Sequence, residues 1–178
     1  MTANYQRWNY QDMTQNVETR EPVLVRATEA ETVGAAPTLV TLLADVSTTG
    51  GVMSSARTQL GVGADGAAPH YHTGSSEMFF MLDGKLEVLV GEEIVTVSEG
   101  DMLVVPPLTT HAFRAAVDSA ADVLIVFIPG VERFDYFRLL EKVGHGKATV
   151  QDLLDSQEKF DNHFVESPVW TESAKSRQ

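Results

Sequence analysis

Cysteine is absent from all 178 residues. That excludes disulfides and thiolate metal ligands, and leaves histidine and carboxylates as the main donors open to a metal. No lysine or arginine cluster occurs, and acidic residues outnumber basic ones 25 to 13, for a formal net charge of −12. Phosphate backbones and anionic membranes are held by such clusters, so neither nucleic acid nor membrane is expected as a partner. No apolar run reaches the roughly 18 residues of a membrane span. Residues 1–20 are polar, without the apolar core of a signal peptide. A soluble, cytoplasmic protein is the expectation. What the chain does have is 43% hydrophobic residues, enough for one domain around one sizeable core.

Turn signals divide the chain at short, regular intervals. Apolar or alternating runs at 22–26, 38–46, 53–60, 77–82, 85–90, 93–97, 102–105, 111–117 and 123–128 read as strands. Gly50-Gly51, Asp83-Gly84, Gly91-Glu92, Pro106-Pro107 and Pro129-Gly130 read as turns, Asp83-Gly84 being a favoured pair for a tight hairpin. Short strands with a turn signal each time predict an all-β sandwich or barrel over residues 21–130. Past Gly130 the period becomes helical. One helix is predicted over 131–143, stopped by Gly144-His145-Gly146, and a second from the capping box at Thr149 to Asp152 through about Phe160. The domain reading is a polar arm at 1–20, the barrel, a helical segment at 131–170 and a frayed tail at 171–178.

Chemistry concentrates in one stretch. His70 and His72 are two residues apart, so on a strand they share a face. Glu77 follows a short turn at the start of the next strand, and His111 arrives 39 residues after His72. Three nitrogens and one oxygen suit a divalent Zn, Fe, Ni, Co, Mn or Cu ion, not an all-oxygen Ca or Mg site. His145 and His163 fall in the helical tail, where a cap or surface role is expected.

These residues resemble the cupin family, small double-stranded β-helix barrels of jelly-roll type. The first cupin motif asks for Gly, His-x-His, three or four residues, Glu, six residues and Gly. His70, His72, Glu77 and Gly84 match it, with Gly63 or Gly66 standing near the leading glycine. The second asks for Gly, five residues, Pro-x-Gly, two residues, His, three residues and Asn. Gly100, Pro106 and His111 match in register, while Leu108 replaces a glycine and Ala115 the asparagine. The resemblance implies a double-stranded β-helix with a C-terminal pair of helices, and a metal held by His70, His72, Glu77 and His111. It also implies a homodimer, with the polar arm as one means of exchange.

Four protein ligands leave positions open on the metal for substrate or water, and Glu77 is the ligand that could also move a proton as a catalytic base. Strand alternation sketches a pocket from Phe79, Met81, Phe113, Ile125, Phe127 and the Arg57/Gln59 face. That lining suits a small, flat, aromatic organic ligand. Small bacterial quercetinase-type dioxygenases are similar, with a His3Glu site and a C-terminal segment beginning near Glu-Arg-Phe, here Glu132-Arg133-Phe134. The resemblance therefore implies a quercetin 2,3-dioxygenase-like oxidoreductase whose flavonol binds through its 3-hydroxyl while Glu77 takes the proton. A non-oxidative cyclase or isomerase of the polyketide cyclase type is a second expectation. A cupin in which the metal only anchors a small ligand is the third.

Overall fold

The computed structural model describes residues 21–177. The polar arm expected at 1–20 lies outside the described residues. The elements run β1 (Thr32–Ala35), β2 (Thr38–Ala44), α1 (Val46–Thr49), β3 (Ser54–Leu60), β4 (His70–Tyr71), β5 (Ser76–Val90), β6 (Glu93–Ser98), β7 (Met102–Val105), β8 (His111–Ala115), β9 (Ala121–Ile128), α2 (Phe134–Gly144), α3 (Val150–Asp155), α4 (Gln157–Phe160), β10 (His163–Phe164) and α5 (Pro168–Lys175). No helix among the described residues is long and apolar enough to cross a membrane.

The strands form a curled antiparallel sheet in the order β1-β2-β3-β9-β5-β8-β4-β10, with β6 and β7 also paired to β5. The fold is the expected all-β jelly roll with C-terminal helices. β5 is its hinge piece. The first half of β5 pairs with β7 and β9, and the second half with β6 and β8. One strand thus serves both halves of the barrel.

The hairpin expected at Asp83-Gly84 is replaced by this continuous strand. Its register against β9 shifts between Met81 and Asp83, and Gly84 has φ +75°. A side chain at Gly84 would run into the carbonyl of Ala120, so the strand turns its corner where no Cβ is present. The dipeptide signals a bend, but the bend is a bulge within a strand.

The strand expected at 22–26 is also corrected. Those residues are irregular and exposed, because no neighbouring strand pairs with them, and the first strand begins at Thr32. Alternation elsewhere holds: Glu77, Phe79 and Met81 of β5 are buried, whereas Met78, Phe80 and Leu82 are more exposed. Phe79, Met81, Leu86, Val88, Val123 and Ile125 anchor the core.

The C-terminal segment is more than a pair of helices. α2 closes the edge strand β1, with Glu141 Oε1 accepting from Gly34 N at 3.0 Å. α3 begins with the expected capping box at Thr149 and Asp152. After α4 the chain returns as β10, pairing His163 with Tyr71 and Phe164 with His70. The tail expected to fray from Thr171 is instead helical to Lys175 and docked through Arg177. Arg114 stacks on Trp170 at 4.1 Å and donates to Ser173 Oγ at 3.0 Å, and Arg177 donates to the carbonyl of Ala115 at 2.7 Å. Arg114 and Glu87 on the barrel supply charge and planar surface for those residues, which their polar composition conceals.

Candidate metal centre

β4 and β8 bring two of the four ligand candidates face to face, with His70 the direct cross-strand partner of His111. His72 follows β4, and Glu77 enters from the start of β5. One donor atom from each of His70, His72, Glu77 and His111 can be chosen so that all four lie within 4.8 Å of one another. None of the four is more than 4% exposed, so water does not solvate them.

The tautomers follow from the outer partners. Nδ1 of His70 donates to the carbonyl of Ala68 at 2.8 Å, and Nδ1 of His111 to that of Thr109 at 2.9 Å. Nδ1 of His72 donates to the carbonyl of Asp161. A carbonyl can only accept, so each Nδ1 carries the hydrogen and each neutral ring turns an Nε2 lone pair inward. There, Glu77 Oε2 lies 2.9 Å from Nε2 of His72 and 2.7 Å from Nε2 of His111. Lone pairs converging on a carboxylate need a cation between them.

The charge balance agrees. Burial pushes the Glu77 carboxyl up, but in the metal-free centre the positive charge of a protonated His111, with the short contacts of His111 and His72 to Oε2, outweighs it and holds the group well below the usual range. Burial pushes His111 down, and the neighbouring Glu77 more than reverses this. Burial, with the nearby charge of His111, drives His70 well below its ordinary value. A proton on His111 can satisfy one contact. A divalent transition metal satisfies all four donors, and their outer partners orient the rings as metal-bound imidazoles require. The residues fit such a metal.

His70 and Glu77 also border a cavity of about 270 Å³. Of the pocket residues expected from alternation, Phe113, Ile125 and Phe127 line it. Phe79 and Met81 point inward but belong to the core, with Phe79 packed edge-on against Phe113 at 5.4 Å. Arg57 and Gln59 do not line the cavity. Both reach outward to Asp122 of β9, and it is Thr58 between them that faces in. Arg57 and Gln59 do share one face of β3, but it is the outer face, where the Asp122 carboxylate of the next strand holds both side chains. Gly66 borders the cavity where a Cβ would collide with the Phe113 ring.

The other half of the wall comes from the C-terminal segment: Tyr136, Phe137 and Leu140 of α2, Leu153 of α3, Phe164 of β10, and Arg133 and Asn162. Strand periodicity carries no information about these residues. Burial pushes the Tyr136 hydroxyl up to about 12, so it stays protonated at neutral pH. Arg133 is 2% exposed and stacks on Phe127 at 4.1 Å. Burial lowers its pKa and nearby Glu77 pulls it back, leaving an arginine that remains charged. Its only advance signal was its place in the Glu132-Arg133-Phe134 run. His145 caps α2 in an exposed position, and His163 stacks on Tyr71 at 5.1 Å, so neither joins the centre.

Residues 56–127 match the family model for the cupin domain. The barrel is a cupin domain. Solved structures similar to this chain share its fold. KdgF from Halomonas sp. is 21% identical with a TM-score of 0.54, over 65% of this chain and 98% of that one. An RmlC-like cupin from Shewanella frigidimarina is 17% identical with a TM-score of 0.50, over 65% and 96%. Streptomyces Pac13, a nucleoside dehydratase, is 15% identical with a TM-score of 0.50, over 62% and 84%. None of the curated proteins compared with the chain matches it significantly. At such identities the likeness concerns the fold, and the reaction must be argued from the site.

Proposed function

We propose that this cupin is a metal-dependent dioxygenase acting on a flavonol-like or other aromatic enol. The observation that carries the reading is a buried His3Glu donor set opening directly into an apolar, aromatic cavity, with Glu77 shared by both. When bound, a redox-active metal such as Fe, Ni, Co, Mn or Cu would supply a Lewis acid for the enol oxygen and a route for electrons to dioxygen. His70, His72, Glu77 and His111 would hold it.

The protein's own part is orientation, exclusion of water and proton transfer. Phe113, Phe127, Phe137 and Leu140 offer flat apolar surface to a ring system and keep bulk water from the reacting oxygen. At about 270 Å³ the cavity falls just below the roughly 300–1,000 Å³ typical of ligand pockets, which favours a compact substrate. Glu77 borders the cavity as a carboxylate held in its ionised form, so it is placed to accept the hydroxyl proton of an enol.

Oxygen uptake tests the reading. Protein loaded in turn with Fe, Ni, Co, Mn and Cu should consume oxygen when given a flavonol. If none of these forms does so with flavonols or related enols, the dioxygenase reading fails. Turnover under argon would instead assign a cyclase or isomerase, for which the same Glu77 proton transfer suffices.

A further inference from the structure

Two hydrogen-bond donors in the cavity wall are buried and unpartnered. Neither Nε of Arg133 nor Nδ2 of Asn162 has an acceptor among the described residues. Both residues are at most 4% exposed, and both line the cavity that His70 and Glu77 border. They belong together. Arg133 Nη1 donates to Asn162 Oδ1 at 3.4 Å, the long end of a hydrogen bond, so Asn162 turns its carbonyl to the guanidinium and its amino group elsewhere.

The rest of the guanidinium is little better supplied. Nη2 lies 3.0 and 3.1 Å from the two ring nitrogens of His72. However, Nδ1 of that ring already donates to Asp161, and the Nε2 lone pair is directed at Glu77 and the metal position. The ring therefore gives Arg133 a surface to lie on, not an acceptor. Phe127 covers it at 4.1 Å. No carboxylate among the described residues is in ion-pair contact with it; Glu77, Asp161 and Asp45 act from farther away. A permanently charged planar fork is thus buried beside a cavity with N–H groups to spare, and a buried charge in that state calls for an anion.

We propose that Arg133 and Asn162 form a subsite for the oxygen anion of an apolar aromatic ligand, whose rings lie against Phe113, Phe127 and Phe137. The oxygen anion is that of a carboxylate or an enolate, since both present lone pairs to the same donors. This deepens the proposed function and rests on it for the aromatic body of the ligand, but it does not depend on oxygen chemistry.

The test uses full-length protein loaded with Zn(II), which is diamagnetic and has no redox chemistry, so failure of the dioxygenase reading cannot be confused with failure of this one. Binding of 2-naphthoate, 2-naphthamide and 3-hydroxyflavone is measured by calorimetry, with zinc content and melting temperature recorded for each variant. An anionic probe should bind at least about tenfold more tightly than the neutral amide, as charge-assisted bonds to a buried fork require. That preference should vanish in Arg133→Met and in Asn162→Asp, where the new carboxylate would occupy the fork itself. In the wild-type protein the Arg133 Nε–H NMR resonance should move downfield with an anionic probe and stay in place with the amide. Whichever of naphthoate and hydroxyflavone moves it identifies the oxygen anion as carboxylate or enolate. An unmoved resonance with both, or a preference that survives Arg133→Met with zinc retained, overturns the proposal. The resonance decides it even if the variants fail to fold.

Discussion

The backbone carbonyl of Asp161 accepts the Nδ1 proton of His72, tying the loop after α4 to the metal centre across 89 residues of chain. The same residue's carboxylate accepts from Thr73 N at 2.7 Å, Thr73 Oγ1 at 2.6 Å and Gly74 N at 2.9 Å. Asp161 sits in the left-handed region at φ 47°, which Asp and Asn tolerate better than most residues. One residue therefore fixes both the ring of His72 and the turn that follows it.

Asp161→Ala keeps the carbonyl that holds His72 but loses the three hydrogen bonds that fix the turn, so metal affinity should fall from that of the wild type by less than the about 10–100-fold cost of losing an outer partner outright. Asp161→Asn, which keeps one acceptor oxygen and the backbone preference, should fall between the two. Competition against a chromophoric chelator measures both. Affinities equal to wild type would show that the Asp161 side chain does not help position His72.

Glu77→Ala separates a ligand from a base. Three histidines remain to hold the metal, so metal content should stay near that of wild type while kcat/KM falls by roughly 10²–10⁴-fold, the usual contribution of a general base. Elemental analysis alongside the oxygen electrode reads both quantities. Loss of metal with loss of activity would leave Glu77 as a ligand only.

Stability should respond to pH in opposite ways with and without metal. In the metal-free protein His111 binds its proton more tightly than in the unfolded chain, a contribution complete below about pH 6.5 and lost as pH rises through its raised pKa. His70 is displaced the other way, so stability is lost as pH falls from about 6.5 toward its lowered value. Glu77 adds a further loss on the acid side, as pH falls through its own depressed pKa. The melting temperature of EDTA-treated protein should therefore peak near pH 6.5. Metal displaces the proton from His111, so the loaded protein should keep gaining stability above that pH. Parallel alkaline limbs with and without metal would contradict a shared site.

Leu108→Gly should stabilise the fold. Leu108 stands where the cupin motif has glycine, at φ 63°, with 69% of its surface exposed and its N–H bonded to the carbonyl of His72 at 2.7 Å. Left-handed backbone costs a residue with a Cβ about 1–2 kcal/mol, against about 0.5–1 kcal/mol for the greater chain freedom of glycine. A net gain of about 0.5–1 kcal/mol should show in urea unfolding. A loss would mean that the exposed leucine is held by contacts outside the chain described.

The sequence by itself determined the barrel and its four-donor centre. His70, His72 and Glu77 are close in sequence: strand period two puts both histidines on one face, and a short turn brings Glu77 in on the next strand. His111 is placed by motif spacing, because a short hairpin-rich barrel keeps motif residues in fixed register. Local period also showed which residues of β5 face in. Only the tertiary structure decided the rest. Asp83-Gly84 became a corner within β5, because the close approach of Ala120, far along the chain, governs that bend. Arg57 and Gln59 turned outward to meet Asp122, a partner that no local pattern reveals. Arg133, Asn162 and Asp161 joined the His-x-His centre because α2, α4 and β10 fold back over the barrel. Packing of a helical segment on a distant strand is not written in the period of either, so their roles become visible only when the two are brought together.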